Sequence, residues 1–409
     1  MKTPLRRMTT VILLGITITG LTGCSQEDII NNGSKFIADL ITTTLETEKD
    51  PVEMYGEHEL EEDEPEIIEQ HIKEKGDSWQ NAVYSYYYNQ LTPEQQAIYN
   101  QLYETTRKME ESTTFGLDSL SKEDISIIFR ALRYDHPEVY WIQGYKYIQD
   151  GSILYFYPNY LINTEEKSLY DNMLDEWTEK IIERVDKDWG EYEKELTIYN
   201  YIIENTEYSL DAPLNQSLIS VVQGKSVCLG YTKAMKYLCD RIGLDCIVVE
   251  GISKEGVAHS WNKVKINNEW YNVDSTNSNT AQIFSDSYDM FNITDELINL
   301  RYTETILGST GGESSIAFEY PVANSIEADY YKMKGLYINS LEEIEDVVNN
   351  HIEDGTVTIR LSPECDMKEE LQEYMKHIEF KDSQGNAVNM KCLNYVTINY
   401  IRLLEINWC

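Results

Sequence analysis

Cations are scarce in this chain: 34 Lys and Arg stand against 71 Asp and Glu, with six His, for a formal charge of −37 at pH 7 over 409 residues. So acidic a chain does not bind nucleic acid through its net charge, because phosphate binding needs clustered Lys and Arg. Anionic lipid and anionic wall polymers repel it for the same reason, and the charge reads as keeping an exposed protein soluble. There is no Cys-x-x-Cys or His-x-x-x-His spacing to frame a metal site. Glycine-rich phosphate loops are missing too, and the acidic segment has no Asp-x-Asp-x-Asp-Gly calcium loop with a distal Glu. Neither a metal nor another cofactor is expected.

A long apolar run is also lacking. Val11 to Leu21 is short for a membrane span and follows the basic residues Lys2, Arg6 and Arg7, the layout of a secretory signal. It ends at Leu21-Thr22-Gly23-Cys24, which resembles the lipobox of bacterial lipoproteins. That resemblance implies that residues 1–23 are removed and that Cys24 carries lipid, anchoring the protein on the extracytoplasmic face of the cell membrane. The signal holds three cations and no acid, so its loss takes the charge from −37 to −40.

Residues 24–78 read as an acidic flexible tether, with Glu61-Glu62-Asp63-Glu64-Pro65-Glu66 repelling itself and offering little to bury. Residues 79–190 read as mostly helical with one hairpin. Thr92-Pro93-Glu94-Gln95 and Ser121-Lys122-Glu123-Asp124 are helix starts. Val139 to Ile148 and Ser152 to Tyr160 flank the turn signal Asp150-Gly151. Tyr84, Tyr86, Tyr87 and Tyr88 are expected in core and rim packing rather than as a sugar-binding stripe. His136, in a Pro-containing turn, is expected to be exposed, as are His58, His71, His351 and His377. Residues 191–307 carry the chemistry, Gly308 to Ser315 reads as a linker, and 316–409 as a small α/β domain.

Within 191–307, Tyr231, Ala234, Met235, Leu238 and Ile242 recur at helical spacing after Cys228, and Gly243 is placed to end the helix. Cys228 then sits at the positive end of the helix dipole, which favours the thiolate, the nucleophilic form of a thiol. Its backbone N–H points out of the helix start and can donate to an oxyanion. Downstream, Val257 to Lys265 and Trp270 to Ser275 form a hairpin around Asn267-Asn268. In that register Trp261 faces Asp274, so His259 and Asp274 are diagonal neighbours on one face, about 7–8 Å apart at the backbone and within side-chain reach. Cys228 as nucleophile, His259 as base and Asp274 as the group that orients the base fit acyl transfer on an amide.

The order Cys228-Leu229-Gly230, His259-Ser260-Trp261-Asn262 and Asp274-Ser275-Thr276, at intervals of 31 and 15 residues, resembles the core of the transglutaminase-like superfamily. Asp135-His136-Pro137-Glu138-Val139-Tyr140-Trp141 resembles an element upstream of that core in bacterial members. The resemblance implies a papain-like α+β fold for this core, which follows the helical N-terminal region and precedes the small C-terminal α/β domain read above. It further implies a membrane-anchored cysteine enzyme working through a thioester on a protein or peptide substrate, a cell-wall peptide among the options. A peptidase or amidase is favoured over a crosslinking enzyme. The rival expectation is a non-catalytic surface module that binds through the same core. Many members carry an aromatic residue where this chain has Asn277. Trp261, Gln223 and Tyr231 are the candidates for the site wall, Gln223 also being the nearest polar candidate for a second oxyanion donor. With Cys24 and Cys228 so assigned, Cys239, Cys246, Cys365, Cys392 and Cys409 remain, and one bridge among the last three is left open.

Overall fold

A computed structural model describes residues 85–117, 120–276, 288–305, 316–365, 367–378, 380, 393–398 and 401–408, with two short strands, Thr19–Leu21 and His58–Glu59, before them. Cys24, most of the tether, Asn277, the 308–315 linker, Cys392 and Cys409 lie outside the described residues. The chain divides into two compact units: Glu46–Gln282 with Met290–Asp329, and Met1–Leu45 with Ile283–Asp289 and Tyr330–Cys409. The last unit boundary therefore falls at Tyr330, and 316–329 belongs with the chemistry-bearing unit, where Phe318 and Ala323 are buried.

In the first of these units, helix α1 (Pro93–Arg107) opens on a Thr92/Gln95 capping box, and α2 (Lys122–Asp135) on a Ser121/Asp124 box. Strand β1 (Thr113–Gly116) between them pairs with the second arm of a hairpin, β2 (Ile142–Asp150) and β3 (Ile153–Tyr160). Gly151 has a positive φ of 58° at the tip, as the Asp-Gly pair requires. Asp135 ends α2 fully buried and accepts from the backbone N–H groups of Tyr87 and Tyr88 and from the Tyr99 hydroxyl. His136 is buried rather than exposed, because Tyr103 packs on its ring and Glu138 pairs with its Nδ1 at 2.8 Å. Helices α3 (Thr164–Ile182) and α4 (Glu191–Asn205) lead into the core.

The core starts with strand β4 (Glu207–Tyr208), helix α5 (Leu218–Val222) and strand β5 (Lys225–Ser226), with β4 and β5 parallel. Helix α6 (Cys228–Ile242) follows at once and is stopped by Gly243 in the left-handed region, φ 77°. Both limits agree with the apolar spacing and the Gly signal. Then come β6 (Cys246–Ser253), β7 (Ala258–Ile266) and β8 (Glu269–Val273), the short helix α7 (Asp295–Ile298) and β9 (Tyr302–Glu304). The antiparallel sheet has the order β8-β7-β6-β9. Asn267 and Asn268 turn the β7-β8 hairpin with φ of 51° and 69°, and Trp270 pairs with Lys265 as the turn position predicts. Ala234, Met235 and Leu238 of α6 and Val248, Val249 and Val264 of the sheet are fully buried.

The C-terminal unit contains α8 (Tyr330–Met333), β10 (Tyr337–Ile338), α9 (Glu343–Asn350), β11 (Thr356–Leu361), α10 (Glu369–His377), β12 (Leu393–Ile398) and β13 (Leu403–Trp408). Its sheet has the order β12-β13-β11-β10, with Thr19–Leu21 pairing on the outer edge of β12. Ile344, Val348, Ile359, Leu371, Leu404 and Ile406 fill its core. Arg360 is fully buried there and donates to the carbonyls of Ile401 and Asp289.

One buried acid in α4 pairs with an amide. Glu195 is fully buried, and Asn292 donates to its Oε2 at 2.7 Å. Burial pushes its carboxyl up to about 8, Asn292 pulling against this and Glu191 adding to it. An unfolded Glu ionises near about 4.3, so the neutral carboxyl's contribution to stability is full below that pH and is lost as pH rises through about 8. The isosteric Glu195→Gln variant should therefore hold its Tm between pH 6 and 9 where the parent protein loses stability. Parallel decline of the two melting curves over that range would refute the assignment.

Candidate active site

Cys228 occupies the first position of α6, after Val227 in extended conformation at the N-cap (φ −107°, ψ 176°) with no side-chain cap. The Val227 carbonyl takes the N–H groups of Gly230 and Tyr231. The Cys228 N–H, in the first turn, has no intrahelical acceptor and points out of the helix start. The rest of the motif has a packing reason. A Cβ on Gly230 would collide with Ser226 Oγ and stand 2.9 Å from the Ser217 carbonyl and from Ser220 Oγ. Those serines form a tight buried cluster, with Ser220 and Ser226 hydroxyls 2.6 Å apart and Ser226 donating to the Asn215 carbonyl at 2.8 Å. Only glycine lets α6 begin against it.

His259 and Asp274 meet across the hairpin. Paired strands place side chains alternately on the two faces, and the continuous β7-β8 register ends one residue before Asp274. The imidazole Nε2 is 2.8 Å from Asp274 Oδ2. Asp274 is fully buried. Its Oδ1 accepts from the Thr276 N–H at 3.1 Å, which accounts for the Asp-x-Thr spacing, and its Oδ2 also accepts from the Tyr302 hydroxyl at 3.3 Å. With Nε2 engaged, Nδ1 is the ring nitrogen left for the sulfur, and His259 and Cys228 are near enough that each shifts the other's proton affinity.

On the alternate residues, Asn262 turns toward the helix. Its amide donates to the Thr232 carbonyl of α6 at 3.0 Å and the Ile247 carbonyl of β6 at 3.1 Å, and contacts Cys246 Sγ at 3.4 Å. Ser260 reaches Thr232 Oγ1 at 3.2 Å and helps to lower the Cys228 thiol. Three rings, His259 among them, stand nearly parallel. Tyr302 lies 4.4 Å from His259 at 18°, and Trp261 lies 5.4 Å from Tyr302 at 21°. Gly251, opposite His259 on β6, makes room for them: a Cβ there would come within 2.6 Å of the Trp261 ring and of the Thr303 carbonyl.

Electrostatics couple the groups. Burial pushes the Cys228 thiol up, but the hydrogen bond and charge of His259 and the hydrogen bonds of Ser260 outweigh it, and the net direction is down. Burial alone pushes His259 down, whereas Asp274 and then Cys228 hold the proton and raise it to about 10. Burial raises the Asp274 carboxyl, and His259, Arg301 and the Thr276 N–H bring it below its ordinary value. His259 therefore keeps its proton at neutral pH, and its charge favours the thiolate form of Cys228.

His259 and Asp274 thus pair, Cys228 stands at the start of α6 within electrostatic reach of the imidazole, and the three wall candidates lie elsewhere than expected. Tyr231 is fully buried because it faces inward from α6, and its hydroxyl donates to the Thr206 carbonyl at 2.7 Å. Trp261 is 1 % exposed, since its indole N–H is bound to Asn272 Oδ1 at 2.9 Å, and it is core behind the imidazole. Gln223 is exposed at the C-terminal end of α5. Sequence reading missed Tyr302 and Ser260. Ser260 lay inside the His-x-Trp-Asn motif as its unspecified position, while Tyr302 sits on a three-residue edge strand that carries no pattern. Among the described residues no group of three or more His, Cys, Asp or Glu is arranged to hold a metal.

Residues 176–275 match the family model of the transglutaminase-like superfamily, so the chain contains a transglutaminase-like domain. No curated protein matches the chain. Among solved structures it is similar to a transglutaminase (17% identity over 36% of this chain and 46% of that one, TM-score 0.25). Others are a candidate cysteine protease from Cytophaga hutchinsonii (10%, 41% and 65%, 0.23) and a candidate protease from Parabacteroides distasonis (8%, 64% and 60%, 0.26). The matches span less than two thirds of each of those chains.

Iodoacetamide should alkylate Cys228 at pH 6 far faster than it alkylates Cys239, whose thiol burial pushes well up. In Gly251→Ala the Trp261 ring or the Thr303 carbonyl must shift, which disturbs the stack on Tyr302 and His259, and the pH 6 rate at Cys228 should drop while the rate above pH 9 is kept. A Cys228 rate that follows an ordinary thiol titration in the parent protein would contradict the ion pair.

Proposed function

We propose that the chain is an acyl-transfer enzyme acting on peptide or side-chain amides through a thioester on Cys228, with hydrolysis as its ordinary outcome. The observation that carries this reading is the His259–Asp274 hydrogen bond, with Cys228 at a helix start lowered and the imidazole raised in pKa by each other. The Cys228 thiolate attacks the amide carbonyl, and the carbonyl π pair moves onto oxygen, where the Cys228 N–H donates to it. As the C–N bond breaks, the His259 imidazolium gives its proton to the leaving amine. Neutral His259 then takes a proton from water, which attacks the thioester and returns the thiolate. Asp274 keeps Nε2 protonated throughout and the ring turned to the sulfur. A primary amine in place of water makes the same machinery a transamidase.

The basic, apolar and small-residue order before Cys24 supports the further proposal that the protein is lipid-anchored outside the cell, with protein or peptide substrates, cell-wall peptides among them, on that side. No helix among the described residues is long and apolar enough to cross a membrane.

Two measurements test these proposals. Incubation with casein and a biotinylated primary amine should give peptide-bond cleavage or ammonia release without biotin incorporation, and Cys228→Ser and His259→Ala should each abolish it. Biotin incorporation lost in His259→Ala would instead assign transamidation, and absence of every product from the intact protein would favour a binding module. Expressed in a bacterial host, Cys24→Ser should move the protein from the membrane fraction to the soluble fraction and end incorporation of labelled palmitate. Unchanged fractionation would remove the anchor.

A further inference from the structure

His259 passes from imidazolium to imidazole as it protonates a leaving amine, so the ring must keep its aim through a change of charge. The side chain placed to hold it comes from β9, which is not a neighbour of β7. The two strands flank β6 and stand about 9–10 Å apart. Paired residues share a face of the sheet and residues two apart return to it, so the pairs Gly251 with His259 and Ser253 with Tyr302 put both rings on the face of Gly251. Gly251 places no side chain between them, and the Tyr302 ring crosses the gap to lie 4.4 Å from the imidazole at 18°. Its hydroxyl donates at 3.3 Å to Asp274 Oδ2, the oxygen that holds His259 Nε2 at 2.8 Å. One side chain therefore touches both the base and its carboxylate. Tyr302 is 3 % exposed, and the backbone around it is tied to β6: the Lys254 N–H donates to the Arg301 carbonyl at 3.1 Å and the Thr305 N–H to the Glu250 carbonyl at 2.9 Å.

We infer that Tyr302 is a positioning residue for the general-acid step, its ring fixing the plane of His259 and its hydroxyl fixing Asp274 Oδ2, so that the imidazolium stays aimed at the leaving amine. This rests on the acyl-transfer reading above. Attack forms the C–S bond and moves the C=O π pair onto oxygen. Collapse restores C=O and breaks C–N, and the departing nitrogen takes its proton from His259. Tyr302 gives up no proton and forms no bond to the substrate. A stack alone would leave the carboxylate free to turn, and a hydroxyl alone would leave the ring free to tilt. An ester whose leaving group departs as a stable anion needs no proton from His259, so Tyr302 should matter for amides and little for such an ester.

The test compares two acyl donors for the same sulfur in the full chain. p-Nitrophenyl acetate acylates Cys228 and expels p-nitrophenolate unprotonated, whereas casein must have its leaving nitrogen protonated before peptide or ammonia is released. Both need the thiolate, so the ratio of the two rates at one pH cancels any change in the amount of thiolate. In Tyr302→Leu, kcat on casein should fall by about 100-fold with KM little changed, the low end of what a positioned general acid supplies. Burst acylation by the ester should stay within a few-fold of the parent protein, which also shows that the variant is folded. Tyr302→Phe keeps the stack and loses the hydrogen bond, and should recover most of the loss on casein. Parallel losses with both donors, unchanged casein turnover in Tyr302→Leu, or no recovery in Tyr302→Phe would overturn the role of Tyr302 while leaving the enzyme reading intact. A parent protein that releases neither peptide nor ammonia would overturn both.

Discussion

The Asn262 side chain sets where α6 lies on the sheet, and the chemistry depends on that placement. One amide nitrogen serves a carbonyl of α6 and a carbonyl of β6 from a residue on β7. Leaving such buried carbonyls without a donor costs about 1–3 kcal/mol. Three residues earlier on β7 stands His259, and one turn before Thr232 on α6 stands Cys228. The contact that secures the helix therefore also fixes the distance between sulfur and imidazole. The Asn of the His-x-Trp-Asn pattern belongs to the scaffold, although it sits among reactive residues.

An acidic protein that stabilises a thiolate must do so locally, and its few cations are placed accordingly. Lys263 is 1 % exposed and bridges Asp295, Glu304 and the Pro321 carbonyl at 2.7–2.9 Å, binding the segment after the hairpin to β7. Lys236 is equally buried and pairs with Asp240 on α6. Arg301 approaches Asp274 and lies over Tyr302 at 5.3 Å. Buried ion pairs of this kind break even at best against apolar packing but are damaging to disrupt, so they specify one arrangement more than they add stability. Beside Cys228 itself the compensating charge is the imidazolium, reinforced by the helix start.

The sequence pattern located the parts of the site carried on regular elements. The limits of α6 followed from apolar spacing and Gly243, and the pairing of β7 with β8 from the Asn267-Asn268 turn, because local periodicity and turn chemistry decide both. Contacts set by distant segments left no such trace. Tyr302 reaches His259 from an edge strand formed after an excursion of the chain. Tyr231 faces the core and not the site wall, because helical spacing tells which face is buried, not which buried residue meets the cleft. The unit boundary at Tyr330 was similarly hidden, since 316–329 has no helix or strand to announce its packing.

The short intervals between Cys228, His259 and Asp274, 31 and 15 residues, also bear on how the protein folds. Loop closure becomes slowly dearer in entropy as loops lengthen, and contacts close in sequence form soonest. Helix α6 and the hairpin can therefore bring nucleophile, base and carboxylate together as an early, local event, with Tyr302 arriving later from β9. The reactive thiol is assembled by nearby chain and enclosed by remote chain, so its shielding lags behind its activation during folding.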